Sequence, residues 1–241
     1  MRTLVVSDIH ANIEALNAVV QDAEAVEPIE RVFCLGDTVG YGPAPMACLE
    51  WLWERNAVSI MGNHDAAVAG LLDLDRFNPY AAEAARWTVG QLSEEAIQYL
   101  AGLPEKIEDD SFLLVHGTPK EPLWDYLMSY GQAADAWDAT DRGEILVGHS
   151  HFQFVIDANS GFEQPSSDGM LLPLGRARLV INPGSVGQPR DHDPRAAYAV
   201  YDDEARKITL YRVWYDVSAT QRAMADVGLP EPLISRLSLG R

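Results

Sequence analysis

The chain has 241 residues, of which 47% are hydrophobic and 22% charged, so it can bury a substantial core in one or two domains. Its net charge of −18 and its lack of a basic run disfavour a long nucleic-acid partner. No apolar run is long enough to cross a membrane, the N-terminal apolar stretch is too short for a secretory signal, and there are only two cysteines, so we expect a cytoplasmic protein without a disulfide framework.

The first 65 residues alternate between apolar runs and helical patterns. Short apolar or β-branched runs predict strands at residues 3–7, 31–36 and 57–62. Residues 13–25 and 46–56 are predicted to be helices that follow the first two strands. This alternation is typical of an α/β fold, in which helices pack against a sheet.

The alternation stops after residue 65. Residues 66–103 are rich in Ala, Leu and Glu and are predicted to be helical, with a break at the sequence FNPY. We expect a small helical cap at about residues 66–104, inserted over the sheet edge of a single domain that spans residues 1–241. Later strands are predicted at 111–117, 145–156, 177–182, 196–202 and 207–216, and helices at 123–138 and 220–227. The last two strands are long enough to form a hairpin.

Residue types that bind metals follow the predicted strands at the points where they end. The set is Asp8, His10, Asp37, Asn63, His64, Asp65, His116, His149 and His151. In open α/β sheets, sites form at the carboxyl ends of the strands. His149 and His151 are two residues apart, and in extended backbone such side chains project from the same side. One metal does not need so many ligands, and the mixture of nitrogen and oxygen favours two divalent ions, such as Mn, Fe, Zn or Ni.

Five short motifs carry a family resemblance. In this order, DIH, GDTVG, GNHD, VHG and GHSH resemble the motifs of calcineurin-like metallophosphoesterases, and INPGSVGQPRD resembles the end of their small bacterial phosphodiesterase branch. The resemblance covers residues 1–182. It implies a four-layer α-β-β-α sandwich of two mixed sheets with helices outside. The implied activity is hydrolysis of a small-molecule phosphodiester or phosphomonoester, with nucleotides among the options.

The resemblance also implies a role for each motif residue. Asp8, His10 and His151 hold one ion, Asn63, His116 and His149 hold the other, and Asp37 bridges the two. Two metal ions held side by side in this way activate a hydroxide that bridges them, and this hydroxide attacks phosphorus. His64 protonates the leaving oxygen, and Asp65 either orients His64 or is a surface carboxylate.

Further residues have both a functional and a structural interpretation. Arg190 binds a phosphate oxygen or is a surface charge, and Tyr41, Trp124 and Tyr126 stack on a substrate base or belong to the core. Asn12 contacts substrate or caps a helix. Asn182 orients a ligand histidine or forms a turn.

Two other functions compete with phosphoester hydrolysis. A binding scaffold that has lost catalysis would lack some of the motif residues, and here all are present. A metal-dependent nuclease is disfavoured by the acidic balance. The sequence GDTVGYG replaces the GDxxDRG of protein Ser/Thr phosphatases, so the aspartate and arginine of that motif are missing. This difference favours a small-molecule substrate over a phosphoprotein.

Overall fold

The computed structural model describes residues 1–165 and 168–241. Its strands are β1 (Arg2–Val6), β2 (Arg31–Cys34), β3 (Val58–Ser59), β4 (Lys106–Glu108), β5 (Leu113–Val115), β6 (Glu144–Leu146), β7 (Gln153–Asp157), β8 (Gly161–Glu163), β9 (Met170–Pro173), β10 (Leu179–Pro183), β11 (Ala196–Asp202) and β12 (Lys207–Val213). Its helices are α1 (Ile13–Glu24), α2 (Pro45–Glu54), α3 (Asn63–Val68), α4 (Pro79–Val89), α5 (Glu94–Ala101), α6 (Tyr130–Asp138), α7 (Val217–Asp226) and α8 (Glu231–Ser235), with 3-10 turns at Leu74–Arg76 and Arg236–Leu239.

The strands form two mixed sheets of six strands each. The first has the order β3-β2-β1-β11-β12-β9 and the second β4-β5-β6-β10-β7-β8. Strands β1, β2 and β3 run parallel, as do β5, β6 and β10, whereas β11 pairs antiparallel with β1 and β12. The predicted α/β class and the predicted hairpin at the last two strands are therefore confirmed.

Alternation along the central strands creates the layers. Leu4 and Val6 of β1 pack against α1 and α2, whereas Val5 between them faces the second sheet. In the second sheet, Leu114 faces the first sheet and its neighbour Leu113 packs with the α6 side. Burial of each such side chain contributes about 1.5–3 kcal/mol. Helices thus cover the outer face of each sheet, which gives the expected four layers α-β-β-α.

The predicted helix at residues 123–138 is wrong in its first half, because α6 begins only at Tyr130. Ser129 caps this helix by accepting from the Gln132 amide, and the chain before it uses its backbone carbonyls in tertiary contacts. The carbonyl of Trp124 accepts from His149, and that of Tyr126 accepts from the Gln132 side chain. A helix would have taken these carbonyls for its own hydrogen bonds.

The predicted strand at 145–156 is wrong in its middle, because β6 ends at Leu146 and β7 begins at Gln153. His149 and His151 lie in the loop between them, at φ angles of 64° and 60°, and not on extended backbone.

Other boundaries differ less from the expected ones. Strand β3 is only two residues long and has one neighbour, β2, because it lies at the sheet edge. Strands β4, β8 and β9 were not expected from the sequence. The segment between β3 and β4 forms α3, a 3-10 turn, α4 and α5. Within the described residues, the helices are too short or too polar for any of them to span a bilayer.

Candidate metal centre and active-site cavity

The candidate metal ligands lie just beyond the ends of the strands. Asp8 and His10 follow β1, Asp37 follows β2, and His116 follows β5. The chain after β6 supplies His149 and His151, and Asn63 is the first residue of α3, directly after the β3 segment. All seven side chains are buried, between 0% and 5% exposed. The two sheets therefore bring seven polar groups together at one end of the sandwich.

The seven side chains form two groups that share one carboxylate. Asp8, His10, Asp37 and His151 make up the first group, and Asp37, His116 and His149 the second; within each, the potential ligand atoms lie within 4.8 Å of one another. Asp37 Oδ2 lies 3.6 Å from His10 Nε2 and 3.4 Å from His116 Nε2. Asn63 Oδ1 lies 3.3 Å from His116 Nε2, which adds an amide oxygen to the second group.

The first group has the chemistry of a cation site. His10 Nδ1 lies 3.1 Å from the carbonyl of Val39, and His151 Nδ1 lies 2.6 Å from that of Gln188. A carbonyl only accepts, so in each neutral ring Nδ1 carries the hydrogen and Nε2 presents a lone pair. The two Nε2 atoms nevertheless face each other at 3.2 Å. Asp8 Oδ1, buried and without a hydrogen-bond partner among the described residues, lies 3.3 Å from His151 Nε2. Such a convergence of lone pairs fits a bound metal ion.

In the second group the two histidines present different ring nitrogens. His116 Nδ1 donates to the carbonyl of Leu35 at 2.7 Å, which leaves Nε2 for the cluster. His149 has the opposite arrangement, because its Nε2 lies 3.2 Å from the carbonyl of Trp124 and Nδ1 is the nitrogen left over. The ring of Tyr126 stacks on His149 with centroids 4.2 Å apart. Backbone carbonyls thus fix the ring orientation of both residues.

Burial and mutual charge determine the protonation of the cluster. Burial lowers the pKa of His10 and His151 well below the usual value and raises the pKa of Asp8 to about 7. Burial also opposes charge on His116, but Asp37 and Asp8 outweigh it and raise the pKa of His116 to about 9. A metal bound at this site would meet neutral imidazoles in the first group, and at His116 it would have to displace a proton.

Five of the seven side chains sit on backbone in the left-handed region. The φ angles are 51° at Asp8, 47° at His10, 54° at Asp37, 64° at His149 and 60° at His151. This region is uncommon for residues other than glycine, costs on the order of 1–2 kcal/mol per residue, and is enriched at functional sites. The sharp turns allow residues two apart in the chain, such as Asp8 and His10 or His149 and His151, to point into the same cluster just after a strand has ended.

Close packing around the cluster stabilises these turns. Asn182 donates through Nδ2 to the carbonyl of Gly148 at 2.7 Å and to Ser150 Oγ at 3.0 Å, so it binds the residues on either side of His149. Asn182 therefore holds the loop that carries His149, and it does not bond to a histidine ring itself. At Gly62 an added Cβ would collide with Asp37 Oδ1 and with the Asp37 amide nitrogen.

His64 and Asp65 are both buried, but no hydrogen bond joins their side chains. The carboxylate of Asp65 accepts from the backbone amides of Val39 at 3.2 Å and Gly62 at 3.0 Å. His64 Nδ1 is buried without a partner among the described residues. The expected orientation of His64 by Asp65 is therefore wrong. Asp65 instead fixes the backbone of two motifs, and it is no surface carboxylate either.

A cavity of about 260 Å³ opens above the cluster. The residues that line it are Asp37, Tyr41, Asn63, His64, Arg76, Phe77, Asn78, Trp124, Tyr126, His149, His151 and Arg190. The cavity is small for a ligand site and suits a small molecule. One cavity therefore contains atoms of the candidate ligands, His64 outside the cluster, and the two arginines Arg76 and Arg190.

Comparison with known proteins identifies the family. The model of the calcineurin-like phosphoesterase superfamily domain matches residues 1–206. This chain belongs to the calcineurin-like phosphoesterase superfamily. A crystal structure of a metallophosphoesterase from Sphaerobacter thermophilus is 42% identical, with a TM-score of 0.90, and the alignment covers 100% of this chain and 99% of that one.

Two further relatives differ in how much they share. An uncharacterized protein of Methanocaldococcus jannaschii is 41% identical over 98% of this chain and 97% of its own length. A symmetrical bis(5'-nucleosyl)-tetraphosphatase of Haemophilus influenzae is 26% identical, and the alignment covers 76% of this chain and 65% of that protein. The family and these relatives establish a phosphoesterase-type hydrolase of a metal-dependent family.

Within this calcineurin-like domain, four of the five expected substrate residues line the cavity. Tyr41, Trp124, Tyr126 and Arg190 do so, whereas Asn12 does not. Asn12 caps α1 by accepting from the Ala15 amide at 3.1 Å, and its Nδ2 donates to the carbonyl of Gly187 at 2.9 Å. Asn12 therefore caps a helix, which is the structural one of its two expected roles.

The sequence did not reveal three cavity residues, Arg76, Phe77 and Asn78. They belong to the segment after α3, which was expected to be a cap and in which FNPY was interpreted only as a helix break. A signal was present, because an arginine and an aromatic residue beside a helix start are available for binding. Nothing in the local pattern, however, shows that they turn toward the cluster.

The matched region ends before the last two helices, which nevertheless support the cavity. Leu233 and Leu237 pack in one hydrophobic cluster with Tyr41 and with Ala81 of α4. The carbonyl of Gly240 accepts from the amide of His192 at 2.9 Å, close to Arg190 in the chain. The C-terminal segment thus supports both the Tyr41 wall and the loop that carries Arg190.

Proposed function

We propose that this protein hydrolyses a phosphoester bond of a small molecule, with nucleotides as the favoured class, by means of two divalent metal ions. The observation that carries the proposal is the pair of buried ligand groups that share Asp37. The facing lone pairs of His10 and His151 support it, because a cation reconciles them. The name of the tetraphosphatase relative supports a nucleotide substrate.

In this proposal the two groups hold one ion each. Asp8, His10 and His151 bind the first, Asn63, His116 and His149 the second, and Asp37 contacts both. Bound divalent ions would activate the attacking water and neutralise phosphate charge. The side chains themselves fix the positions of the ligand atoms through their carbonyl hydrogen bonds.

The proposed acid, His64, donates a proton to the leaving oxygen. Burial lowers the pKa of His64 to about 4, so its imidazole is neutral in the free protein at neutral pH. It must take up its proton together with the anionic substrate, whose charge raises the pKa again. Arg190 lines the same cavity and binds a phosphate oxygen in this proposal.

The experiment is a turnover screen with a metal series. Phosphomonoesters, phosphodiesters and dinucleoside polyphosphates are incubated with protein that has been stripped by a chelator and reloaded with Mn, Fe, Zn or Ni. We expect no turnover in the stripped protein and recovery with at least one metal. Full activity of exhaustively stripped protein would contradict the proposal, and inactivity with every metal and every ester would favour the scaffold.

Two variants and one control sharpen this test. Asp37→Asn and His149→Ala should lose bound metal and turnover together. His192→Ala is the matched control, because His192 is exposed and outside both ligand groups. It should keep the metal content and the turnover of the wild type.

A further inference from the structure

Arg76 lines the cavity but belongs to a segment that is separate from the strand-end motifs. It ends the 3-10 turn between α3 and α4 and lines the same cavity as Asp37 and His149. The motifs of the sheet do not include it. Its position gives the insertion a direct route to the substrate.

The side chain of Arg76 is held in place by stacking. Its guanidinium carbon lies 4.1 Å from the centroid of the Trp124 ring. The next residue, Phe77, has its ring 5.1 Å from both Trp124 and His64. A guanidinium over an indole keeps its charge and its outer N–H groups available while the plane of the group is fixed.

The same tryptophan is tied to the metal centre. The carbonyl of Trp124 accepts from His149 Nε2 at 3.2 Å. One residue therefore contacts a candidate metal ligand through its backbone and Arg76 through its ring. This link sets the guanidinium at a fixed place relative to the position where the reacting phosphate binds.

The charge of Arg76 is not neutralised within the protein. In the described part of the chain, Arg76 forms no ion pair, although Arg2, Arg31, Arg142, Arg195, Arg212 and Arg222 each approach a carboxylate. Arg190, the other cation of the cavity, donates to the neutral amide oxygen of Gln188 at 2.8 Å. A protein of net charge −18 thus keeps two arginines of one cavity away from its carboxylates.

We infer that Arg76 is a specificity-determining residue that binds a second phosphate group of the substrate, so that the cavity prefers a nucleoside diphosphate moiety to a monophosphate. The inference rests on the proposed function for the position of the first phosphate, at the metal centre. Arg190 serves that first phosphate, and Arg76 reaches the next one from the insertion. Two separated cations match the spread of charge along a polyphosphate chain.

The test is direct binding, measured by calorimetry on the Mn-loaded protein with adenosine monophosphate and adenosine diphosphate. A hydrogen bond to a charged group is worth about tenfold or more in affinity. We expect the wild type to bind the diphosphate at least about tenfold more tightly, and Arg76→Gln to remove this preference with little change for the monophosphate. Arg86→Gln is the matched control, since Arg86 is exposed on α4 and does not line the cavity.

Two more variants separate the charge from its stacking. Arg76→Lys keeps the charge and loses the planar group, so we expect an intermediate preference. Trp124→Phe retains an aromatic face and should keep more of the preference than Trp124→Ala. Equal losses for both nucleotides in Arg76→Gln, or no diphosphate preference in the wild type, would overturn the inference. Because the readout is binding, a protein that binds the diphosphate through Arg76 but turns over no ester would contradict the proposed function alone.

Discussion

Replacing His64 with alanine should separate proton donation from metal binding. The imidazole packs against the rings of His10, Tyr41 and Phe77, with centroids 4.9, 4.4 and 5.1 Å away, but it belongs to neither ligand group. Its backbone amide donates to Asp37 Oδ1 at 2.8 Å, and alanine keeps that bond. We therefore expect the variant to bind metal as the wild type does.

The size of the kinetic effect follows from the pKa of His64. General acid catalysis contributes about 10²–10⁴-fold, which corresponds to about 3–5 kcal/mol. Burial holds the pKa at about 4. Protonation at pH 7 without help would therefore cost about 4 kcal/mol, at about 1.4 kcal/mol per pH unit. The gain from acid catalysis and the cost of protonating His64 are similar, so the net benefit depends on how far the charge of the substrate raises the pKa of His64. We therefore expect His64→Ala to lower kcat by about 10²-fold, at the lower end of the range.

The assay compares two leaving groups. A nitrophenolate leaves without a proton, whereas an alkoxide, such as that of a glycerol phosphate, needs one. His64→Ala should lose about 10²-fold in kcat on the alkyl ester and far less on the nitrophenyl ester, with unchanged metal content. His149→Ala should lose metal and both activities alike. Equal losses on both esters together with loss of metal would show that His64 is a ligand, and the reasoning would be refuted.

Three further outcomes can be measured on the metal centre. Asp37 and its neighbours raise the pKa of His116 to about 9 against the effect of burial, so a metal has to displace a proton there. Metal affinity measured by calorimetry should therefore rise by up to about tenfold per pH unit from about pH 6 to 8. An affinity that does not change with pH would contradict this. Gly62→Ala should displace Asp37 and lose metal, whereas Gly102→Ala, whose Cβ would meet only ordinary contacts at 3.5 Å, should not. Asn182→Ala should lower metal affinity by about 10–100-fold, and an unchanged affinity would remove its role in holding the loop.

The sequence predicted the α/β class and the residues that gather at the metal centre for a physical reason. Asp8, Asp37 and His116 come within three residues of the ends of buried strands, and the carboxyl ends of parallel strands meet at one edge. Position along the chain therefore translated into position in space. Leu4 and Val6 face the helices and Val5 faces the second sheet. All three are apolar because a sheet that lies between two layers is buried on both faces.

The parts that the sequence did not predict depend on tertiary contacts. Residues 123–129 have helical composition, but His149 takes the carbonyl of Trp124, and this bond has no signature in the local pattern. Arg76 lines the cavity beside Phe77, which packs against His64 and Trp124, residues distant from it in the chain. Asp65 has the same residue type as a catalytic orienting group, and only its hydrogen bonds to two backbone amides show what it does.

The left-handed backbone at five of the candidate ligands has a consequence for how the protein would evolve. At Asp8, His10, Asp37, His149 and His151, glycine would relieve conformational strain of on the order of 1 kcal/mol each, while the same change would remove a ligand. The same change would also empty a buried site and remove hydrogen bonds such as the one from the His64 amide to Asp37, which costs more than the strain it relieves. In a library selected only for thermal resistance, without any demand for turnover, we therefore expect replacements that tolerate left-handed backbone and still fill the site, such as asparagine at Asp8 and Asp37. Descendants of such a selection would keep the fold and lose the carboxylates on which metal binding depends in the proposed function.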